Sequence, residues 1–292
     1  MAAARGSRLS RVQVGIVREY LERVAPGAFE IVLRTVRTRG DIVRDRPISE
    51  IGSRGVFAGE VNAAVLRGEA DIAVHSLKDL PSRLPEGLRV VMVPPRGPPG
   101  DSLVPRRGLP AVPPDRLPQG SLVAAGSRRR RNMIALASPG ARFTFIRGNL
   151  DTRLARLDEG RADYLVAAEA GLARLGVARP RTVLPPERYV PSPGQGIIAV
   201  VAPDDSSAAR RLERLTHKPT HAEMTAERAF LEAVGGGCGQ PIGGLARWRG
   251  GQLVFYAAYY GEDRAITVRL EGRDPERLGT RAAEVLRRES PL

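Results

Sequence analysis

Short apolar runs alternate with segments of helical periodicity over the first two thirds of the chain. The run FEIVLRTVRT at 29–38 alternates apolar and polar residues, which is typical of a strand. The segment at 57–70 places Val61 and Val65 on one helical face, and the chain then enters another apolar run at 71–76. This order predicts a strand, a helix and a second strand.

The same order recurs further along the chain, where three apolar runs are each followed by a segment of helical pattern. Repeated β-α-β units favour a mostly parallel sheet covered by helices. In such folds, functional groups gather where strands end and helices begin. The three runs lie at 121–127, 142–150 and 163–170.

Two breaks rich in proline and glycine interrupt this pattern. We interpret residues 93–120 as a linker with an exposed loop, because so much proline argues against a helix or a central strand. The second break, at 184–196, precedes another apolar run at 197–203. Two breaks around one α/β unit predict an inserted domain, after which the chain returns to the first domain. We therefore expect domain 1 over 1–94 and 197–216, domain 2 over 100–190, and domain 3 over 219–292.

The last seventy or so residues follow a different pattern, typical of a small α+β domain. A helix is predicted at 220–234, opened by a capping box of Thr220 and Glu223. A hairpin follows that turns at 261–263, and a closing helix at 274–288 ends the domain.

Composition limits the class of protein. The chain has 292 residues, of which 42% are hydrophobic, so it can bury a sizeable core. It has no apolar run long enough to cross a bilayer and no secretory signal pattern at its start. Its one cysteine, Cys238, cannot form an internal disulfide. We expect a soluble cytoplasmic protein that does not bind membranes.

The formal net charge of +14 leaves a nucleic-acid partner open, because arginine clusters neutralise phosphates whatever the base sequence. The basic residues are spread along the whole chain, however, and could equally reflect a compositional bias. Aromatic residues are only 4% and do not interleave with the basic runs, which argues against a stacking platform for single strands.

The segment HSLKDLP at 75–81 stands out because lysine occurs only twice in the chain, at Lys78 and Lys218. Lys78 lies beside Asp79 at the end of an apolar run. Partly desolvated, such a pair could move protons or stabilise a positive charge. An ordinary exposed ion pair before a proline turn is the alternative, and from spacing alone it is favoured.

Arginines recur at the predicted strand-to-helix junctions. In GSRRRRNM at 126–133, Ser127 can cap a helix whose free N–H groups attract anions, and Arg129 or Arg130 would add forked donors that match carboxylates. A solvated basic face or an RNA contact is the alternative. Further arginines at later junctions favour a polyanionic ligand held in a cleft over a flat nucleic-acid surface. They are Arg147, Arg153 and Arg174.

Two other candidates are weaker. His217 and His221 lie four residues apart, as zinc ligands on a helix can, but no third ligand group accompanies them, so we expect no metal site. Cys238 lies in the glycine-rich segment VGGGCGQPIG, where little side-chain bulk would shield a thiol from covalent attachment. A small buried hydrophobe is the usual role of a free cysteine.

Taken together, these motifs resemble the porphobilinogen deaminase (hydroxymethylbilane synthase) family. They occur in the order of that family and cover nearly the whole chain. The matching motifs are TRGD at 38–41, HSLKDLP at 75–81, GSRRR at 126–130, RGNLDTRL at 147–154, AGLARLG at 170–176, PGQG at 193–196, AERAF at 226–230 and GGCGQPIG at 236–243.

The resemblance implies an α/β fold of two lobes, similar to periplasmic binding proteins, that enclose a cleft, plus a small C-terminal α+β domain. It implies a monomeric transferase of tetrapyrrole (haem) biosynthesis that joins four porphobilinogen molecules head to tail into hydroxymethylbilane and releases ammonia. It also implies a dipyrromethane cofactor, linked to Cys238 by a thioether, and no nucleic-acid partner.

The resemblance also assigns roles by position. Asp79 matches the catalytic carboxylate, and Phe57 is a candidate to pack over a pyrrole ring, although an ordinary apolar role fits Phe57 as well. The positions that match cofactor contacts are Cys238, Lys78, Asp79, Ser127, Arg129, Arg130 and Gln195. The positions that match substrate contacts are Arg5, Ser7, Arg147, Arg153 and Arg174.

A rival hypothesis keeps the two-lobed fold without catalysis, as a solute-binding or nucleic-acid-binding protein, because fold alone does not decide function. The combination of Asp79 with Cys238 argues against it, since a binding protein needs no covalent primer. The chain departs from the family at Arg128, where an apolar residue is usual, and at Gly239, which displaces Gln240 by one position. These departures bear on how the cofactor is anchored.

Overall fold

A computed structural model describes residues 1–38, 58–235 and 239–292 of the chain. The strands are β1 Ala2–Arg5, β2 Leu33–Val36, β3 Ile72–Ser76, β4 Leu88–Met92, β5 Asp101–Pro105, β6 Leu122–Ala124, β7 Arg142–Thr144, β8 Tyr164–Ala168, β9 Thr182–Val183, β10 Ile198–Pro203, β11 Ile242–Arg249, β12 Gln252–Tyr260 and β13 Ala265–Gly272. The α-helices are α1 Arg8–Val24, α2 Gly59–Leu66, α3 Arg128–Ala137, α4 Leu150–Arg156, α5 Glu169–Arg174, α6 Ser207–Glu213, α7 Lys218–Ala233 and α8 Pro275–Glu289.

The chain divides into two compact units, each formed by two separate segments. The first unit comprises Met1–Gly97 and Gly196–Met224, and the second comprises Pro98–Gln195 and Thr225–Leu292. The chain thus leaves the first unit and returns to it close to the two breaks in the sequence pattern. The three-domain division, with the C-terminal residues as a domain of their own, stays a prediction.

Each unit contains a five-stranded sheet with the same arrangement. The strand orders are β2-β1-β3-β10-β4 in the first unit and β7-β6-β8-β5-β9 in the second. Four strands of each sheet run in one direction, while β10 and β5 run against their neighbours. Each reversed strand is the first one after the chain enters or re-enters that unit. The predicted α/β class, with mostly parallel sheets, is confirmed.

Strand β1 was not predicted, because the run Ala2–Ala4 shows no alternation of apolar and polar residues. The side chains nevertheless alternate in space. Ala2 and Ala4 belong to the core that contains α1, and Ala3 belongs to the opposite core that contains α2. All three alanines are fully buried, so small side chains let the two helices pack closely on both faces of the strand.

The prediction of a linker and exposed loop for the whole proline-rich segment is wrong for Asp101–Pro105. These five residues form β5, which is buried along its length and pairs on both sides, with β8 and β9. The proline is tolerated because pairing with β9 stops at Leu103, so Pro105 lies at a local edge of the sheet with β8 on its other side. The short apolar pair Leu103 and Val104 was the available signal, masked by the prolines around it.

The C-terminal residues form a three-stranded antiparallel sheet in the order β11-β12-β13, and α8 contacts β12 and β13. The predicted hairpin and closing helix are present, while β11 was missed because its start was interpreted as loop. Leu245 and Tyr260 of this sheet share one hydrophobic core with Leu103 and Val123. The antiparallel sheet is therefore packed into the second unit by a common core.

The predicted capping box at Thr220 is wrong. Helix α7 begins two residues earlier, at Lys218, and the backbone N–H of Thr220 donates to Nδ1 of His217 at 3.4 Å. The Thr220 hydroxyl instead accepts the backbone N–H of Arg96 at 3.0 Å, and the Glu223 carboxylate forms an ion pair with Arg96 at 3.2 Å. Buried tertiary partners have replaced the local cap.

No helix in the described residues has the length and apolar content to span a bilayer.

Candidate active site

The candidate residues of the first unit lie at one edge of its sheet. Strand β1 runs parallel to β3, with Ala2 opposite Ile72, so the ends of both strands reach the same edge. Strand β10 is antiparallel to β3, with Ile198 opposite Ser76, and begins there. Sheet topology therefore brings Arg5 close to the HSLKDLP segment, although 70 residues separate them in sequence.

The HSLKDLP segment contains a turn held by its leucines. Leu77 is the first residue of a 3-10 turn at Leu77–Asp79 and Leu80 follows the turn; both are buried, and the Leu77 N–H donates to Ile197 O at 3.0 Å. Because the leucines point inward, the two charged residues between them point outward. Lys78 is half-buried and Asp79 is exposed.

Asp79 and Arg5 line the same small cavity, of about 20 Å³, together with Ser10, Gln13 and Ser76. Nε2 of Gln13 donates to Oγ of Ser76 at 2.6 Å, which joins α1 to the end of β3. The structure thus brings together the predicted catalytic carboxylate and one predicted substrate-binding arginine.

Ser7 serves as the N-cap of α1, where its Oγ accepts the N–H of Ser10 at 3.2 Å. The two hydroxyl groups also lie 2.9 Å apart. Helix N-termini favour anions, since their first N–H groups lack intrahelical partners. Ser7 is therefore at a position suited to a carboxylate, and it is half-buried.

His75 also lines this cavity but was not singled out in the sequence. Its side chain is buried, and Nε2 donates to Oδ1 of Asn62 at 2.9 Å. Burial, with a smaller contribution from the charge of Arg5, lowers the pKa of His75 to about 4. The ring is therefore neutral near pH 7, and it forms part of the cavity wall while hydrogen-bonded to Asn62.

The candidate residues of the second unit also lie at one sheet edge. Strands β7, β6 and β8 are parallel neighbours, so their C-terminal ends meet there, and the antiparallel β5 begins beside them with Asp101 opposite Ala168. Ser127 follows β6 and caps α3, accepting the N–H of Arg130 at 3.2 Å. The predicted arginines all follow strands that end at this edge.

Asp101, which was missed in the sequence, organises two of these arginines. Its carboxylate is fully buried and accepts Nη2 of Arg129 at 2.5 Å and Nη2 of Arg130 at 2.6 Å. Burial would raise the pKa of Asp101, but the charges and hydrogen bonds of the two arginines outweigh it and hold that pKa well below its usual range. The residue stays ionised, and the cluster of three keeps one positive charge.

Gln195 belongs to the same buried network. Its Nε2 donates to Asp101 Oδ1 at 2.9 Å and to the carbonyls of Pro99 and Gly100, and its Oε1 accepts from Arg130 at 3.4 Å. The PGQG loop that carries Gln195 is in turn held by Glu227, whose buried carboxylate accepts the N–H of Gly194. The structure therefore brings Gln195 of the PGQG motif together with Arg129 and Arg130 of the GSRRR motif.

Three further arginines lie half-buried at this edge. The Arg147 guanidinium lies 5.8 Å from the centre of the Phe145 ring, and Nε of Arg153 donates to Gly148 O at 2.8 Å. Burial lowers the pKa of Arg174 to about 10, because the surrounding protein displaces water from its charge. A guanidinium in that position is stabilised by an anionic ligand.

Cys238 and Phe57 lie outside the described residues, so the structure does not test their predicted roles. Asp101 and His75 are the main residues that sequence reasoning missed. Asp101 lies in the proline-rich segment interpreted as a linker, and His75 precedes the charged pair that drew attention. An aspartate that opens a short apolar run was the signal available for Asp101.

In both units, arginine and hydroxyl side chains gather where parallel strands end, which defines an α/β protein suited to ligands that carry carboxylates. The family profile described as "Porphobilinogen deaminase, dipyromethane cofactor binding domain" matches residues 1–237, and "Porphobilinogen deaminase, C-terminal domain" matches residues 221–288. The chain belongs to the porphobilinogen deaminase family.

Relatives of nearly full length carry the same name. The chain is 47% identical to "Probable porphobilinogen deaminase" of Hyperthermus butylicus, over 98% of this chain and 95% of the relative. It is 42% identical to the protein of that name in Pyrobaculum calidifontis, over 98% and 97% of the two chains. Among solved structures, the periplasmic VFT2 domain of BvgS from Bordetella pertussis is similar at 15% identity and a TM-score of 0.43, over 78% of this chain and 91% of that one.

Proposed function

We propose that this protein joins four porphobilinogen molecules head to tail into hydroxymethylbilane, with release of ammonia, as a transferase of tetrapyrrole biosynthesis. The observation that carries the proposal is the match of both family profiles, which together span residues 1–288. The arrangement of Asp79 and Arg5 around one cavity is consistent with it.

The residues present fit a dipyrromethane cofactor. This group bears four carboxylates, and the second unit offers half-buried or buried guanidinium groups at a single sheet edge. Forked guanidinium donors match carboxylates, and the burial of Arg174 favours an anion beside it. When bound through Cys238, the cofactor supplies the free α-carbon at which chain growth begins.

Asp79 is the proposed catalytic residue. During condensation the C–N bond of the aminomethyl group breaks and the nitrogen leaves as ammonia. The methylene carbon that remains forms a carbon–carbon bond to the free α-carbon of the growing chain, and that α-carbon loses a proton. Positive charge develops on pyrrole nitrogen along this path. The exposed carboxylate of Asp79, at the end of a 3-10 turn, would accept the pyrrole N–H, stabilise the charge and assist the proton transfer.

The remaining residues are proposed to bind carboxylates. Lys78 and Ser127 would hold cofactor, while Arg5, Ser7, Arg147, Arg153 and Arg174 would hold substrate and the growing chain. Arg130 donates from Nε and Nη2 to Asp101, and we propose that its Nη1 binds a cofactor carboxylate. Arg129 and Gln195 support this arrangement through the same buried network.

We further propose that the protein works as a cytoplasmic monomer of three domains without a nucleic-acid partner. The family supports this view, and the arginines at the sheet edge of the second unit are accounted for by a ligand rich in carboxylates.

Intact mass of the purified protein, before and after brief incubation with porphobilinogen, tests the function. We expect an excess equal to a dipyrromethane, growing in one-ring steps with substrate and absent in Cys238→Ala. A protein that stays bare after incubation with porphobilinogen and with preformed hydroxymethylbilane would contradict the proposal.

Rates of product formation separate an enzyme from a binding protein. Asp79→Asn should keep its fold and slow product formation by about 10²- to 10⁴-fold, the usual contribution of a positioned acid or base. Asp205→Asn is the matched control, because Asp205 is equally exposed and lies on a loop that follows β10. Equal rates for the two variants would exclude Asp79 as the catalytic group.

A further inference from the structure

Phe145 is an exposed aromatic residue at the sheet edge that carries the arginines of the second unit. It follows β7 directly and is 43% exposed. Within the described residues, the only other aromatic exposed to this degree is Trp248, on β11. Exposing an apolar ring to water is unfavourable, and this chain has few aromatic residues. An exposed ring beside the arginines therefore indicates a role in binding.

The ring of Phe145 lies between two of the segments proposed to bind carboxylates. The pairing of β7 with β6 places it next to Gly126, where a Cβ atom would lie 3.5 Å from Phe145 Cε2. Gly126 directly precedes Ser127, the cap of α3. On the other side, the Arg147 guanidinium lies 5.8 Å from the ring centre.

This combination matches a particular ligand chemistry. Each pyrrole unit of porphobilinogen or of the growing chain is a flat ring with two carboxylate arms. A binding site for it needs an apolar surface for the ring beside cations for the arms, and Phe145 and Arg147 provide both within one loop. Stacked or edge-to-face aromatic contacts add to the burial of the ring.

We propose that Phe145 is a ring-binding residue, which packs against a carboxylated pyrrole ring whose carboxylate is held by Arg147. The inference rests on the proposed function and adds a determinant that the motifs do not contain. It assigns to Phe145 the recognition of the planar ring, and to the arginines the recognition of charge. Single exposed apolar residues are common on protein surfaces, so the alternative is that Phe145 is an exposed side chain that binds no ligand.

Steady-state kinetics of matched variants test this assignment. Phe145→Leu keeps an apolar side chain of similar size but removes the planar ring, and Phe145→Tyr keeps the ring. We expect Phe145→Leu to raise KM for porphobilinogen by about two- to tenfold with little change in kcat, as loss of one aromatic contact predicts. Phe145→Tyr should stay close to wild type, and Trp248→Leu is the control for an equally exposed ring.

A fluorescence measurement gives a readout independent of turnover. Trp248 is the sole tryptophan, so Trp248→Phe with Phe145→Trp moves the reporter to the proposed contact. In an Asp79→Asn background, porphobilinogen should quench the introduced tryptophan in a saturable manner. It should leave the fluorescence of Trp248 in the parent protein unchanged.

Intact mass then distinguishes which ring is bound. A raised KM with full cofactor content would assign the contact to substrate or growing chain, whereas low cofactor content in Phe145→Leu would assign it to the cofactor ring. If Phe145→Leu matches Trp248→Leu in KM and cofactor content, and porphobilinogen does not quench the tryptophan introduced at position 145, the inference is wrong. If wild type makes no hydroxymethylbilane, the proposed function fails instead, and the fluorescence measurement still decides whether a pyrrole binds at Phe145.

Discussion

His75 and Asp101 are buried titratable residues at the two sheet edges that carry the candidate site. Each is held in one charge state by its neighbours, His75 as the neutral ring bonded to Asn62 and Asp101 as the carboxylate bonded to two arginines. Such groups position the side chains around them. Their ionisation also makes the stability of the protein depend on pH.

His75 should make the protein less stable as pH falls from about 6.5 to about 4. The pKa of His75 is lowered from 6.5 to about 4, so within this window the unfolded chain binds a proton that the folded protein does not. The free energy of unfolding should therefore fall with pH by up to about 1.4 kcal/mol per unit because of this one residue. Above pH 6.5 the contribution of His75 is fully present.

Urea unfolding of wild type and His75→Gln at several pH values measures this difference. We expect a shallower dependence in His75→Gln between pH 6.5 and pH 4. His221→Gln, at an exposed position on α7, is the control for removing a histidine away from the sheet edge. Parallel curves for wild type and His75→Gln would show that the buried ring does not resist protonation.

At the scale of single elements, α3 and α8 offer a matched pair of helix caps. Ser127 accepts the N–H of Arg130 at 3.2 Å, and Asp274 accepts the N–H of Arg277 at 3.0 Å. Ser127→Ala and Asp274→Ala should each lower the free energy of unfolding by about 1 kcal/mol, because each leaves an N-terminal N–H without its cap.

Only the cap of α3 should also affect ligand binding, because Ser127 lies at the proposed cofactor site and Asp274 does not. We expect Ser127→Ala to raise KM or lower cofactor content, measured by kinetics and intact mass, while Asp274→Ala keeps both. Equal effects of the two variants on KM would show that Ser127 acts only as a structural cap of α3.

The elements show what the sequence could and could not predict. Segments with clear periodicity were predicted correctly, as with α2, α3 and the hairpin of β12 and β13. Three errors have one cause, tertiary context overriding local signals. Ala2–Ala4 became a strand because helices cover both faces. The proline-rich segment supplied β5 because Pro105 lies beyond the residues that pair with β9. Thr220 lost its cap role to a bond with Arg96.

Tertiary context also limits what the sequence could predict of the candidate site. Motifs identified the arginines of the second unit, but only the topology shows that their strands end at one edge. Asp101 could not be found by motif, since its role depends on a reversed strand that begins beside those ends. The role proposed for Phe145 likewise depends on its neighbours in space, Gly126 and Arg147, which the sequence does not show.

At the scale of the whole molecule, the net charge of +14 should attract an anionic substrate and depend on salt. Porphobilinogen carries two carboxylates and one ammonium group, so its net charge at pH 7 is negative. Added salt screens this attraction, with a Debye length of about 10 Å at 0.1 M. We expect kcat/KM to fall as sodium chloride rises from low to physiological concentration, by no more than about tenfold, while kcat at saturating substrate stays constant.

The size of this salt effect also distinguishes the two explanations of the positive charge. A binding surface for nucleic acid releases counterions from each neutralised phosphate, so the logarithm of its affinity falls with the logarithm of salt by about 0.9 per phosphate on duplex DNA and about 0.7 on single strands. Affinity of the protein for a short RNA, measured over the same salt range, should therefore be weak and should not compete with porphobilinogen. Two results together would assign the arginines to nucleic acid rather than to the carboxylates of the substrate. They are tight RNA binding, with a slope of log affinity against log salt that corresponds to several phosphates, and a kcat/KM that does not change with salt.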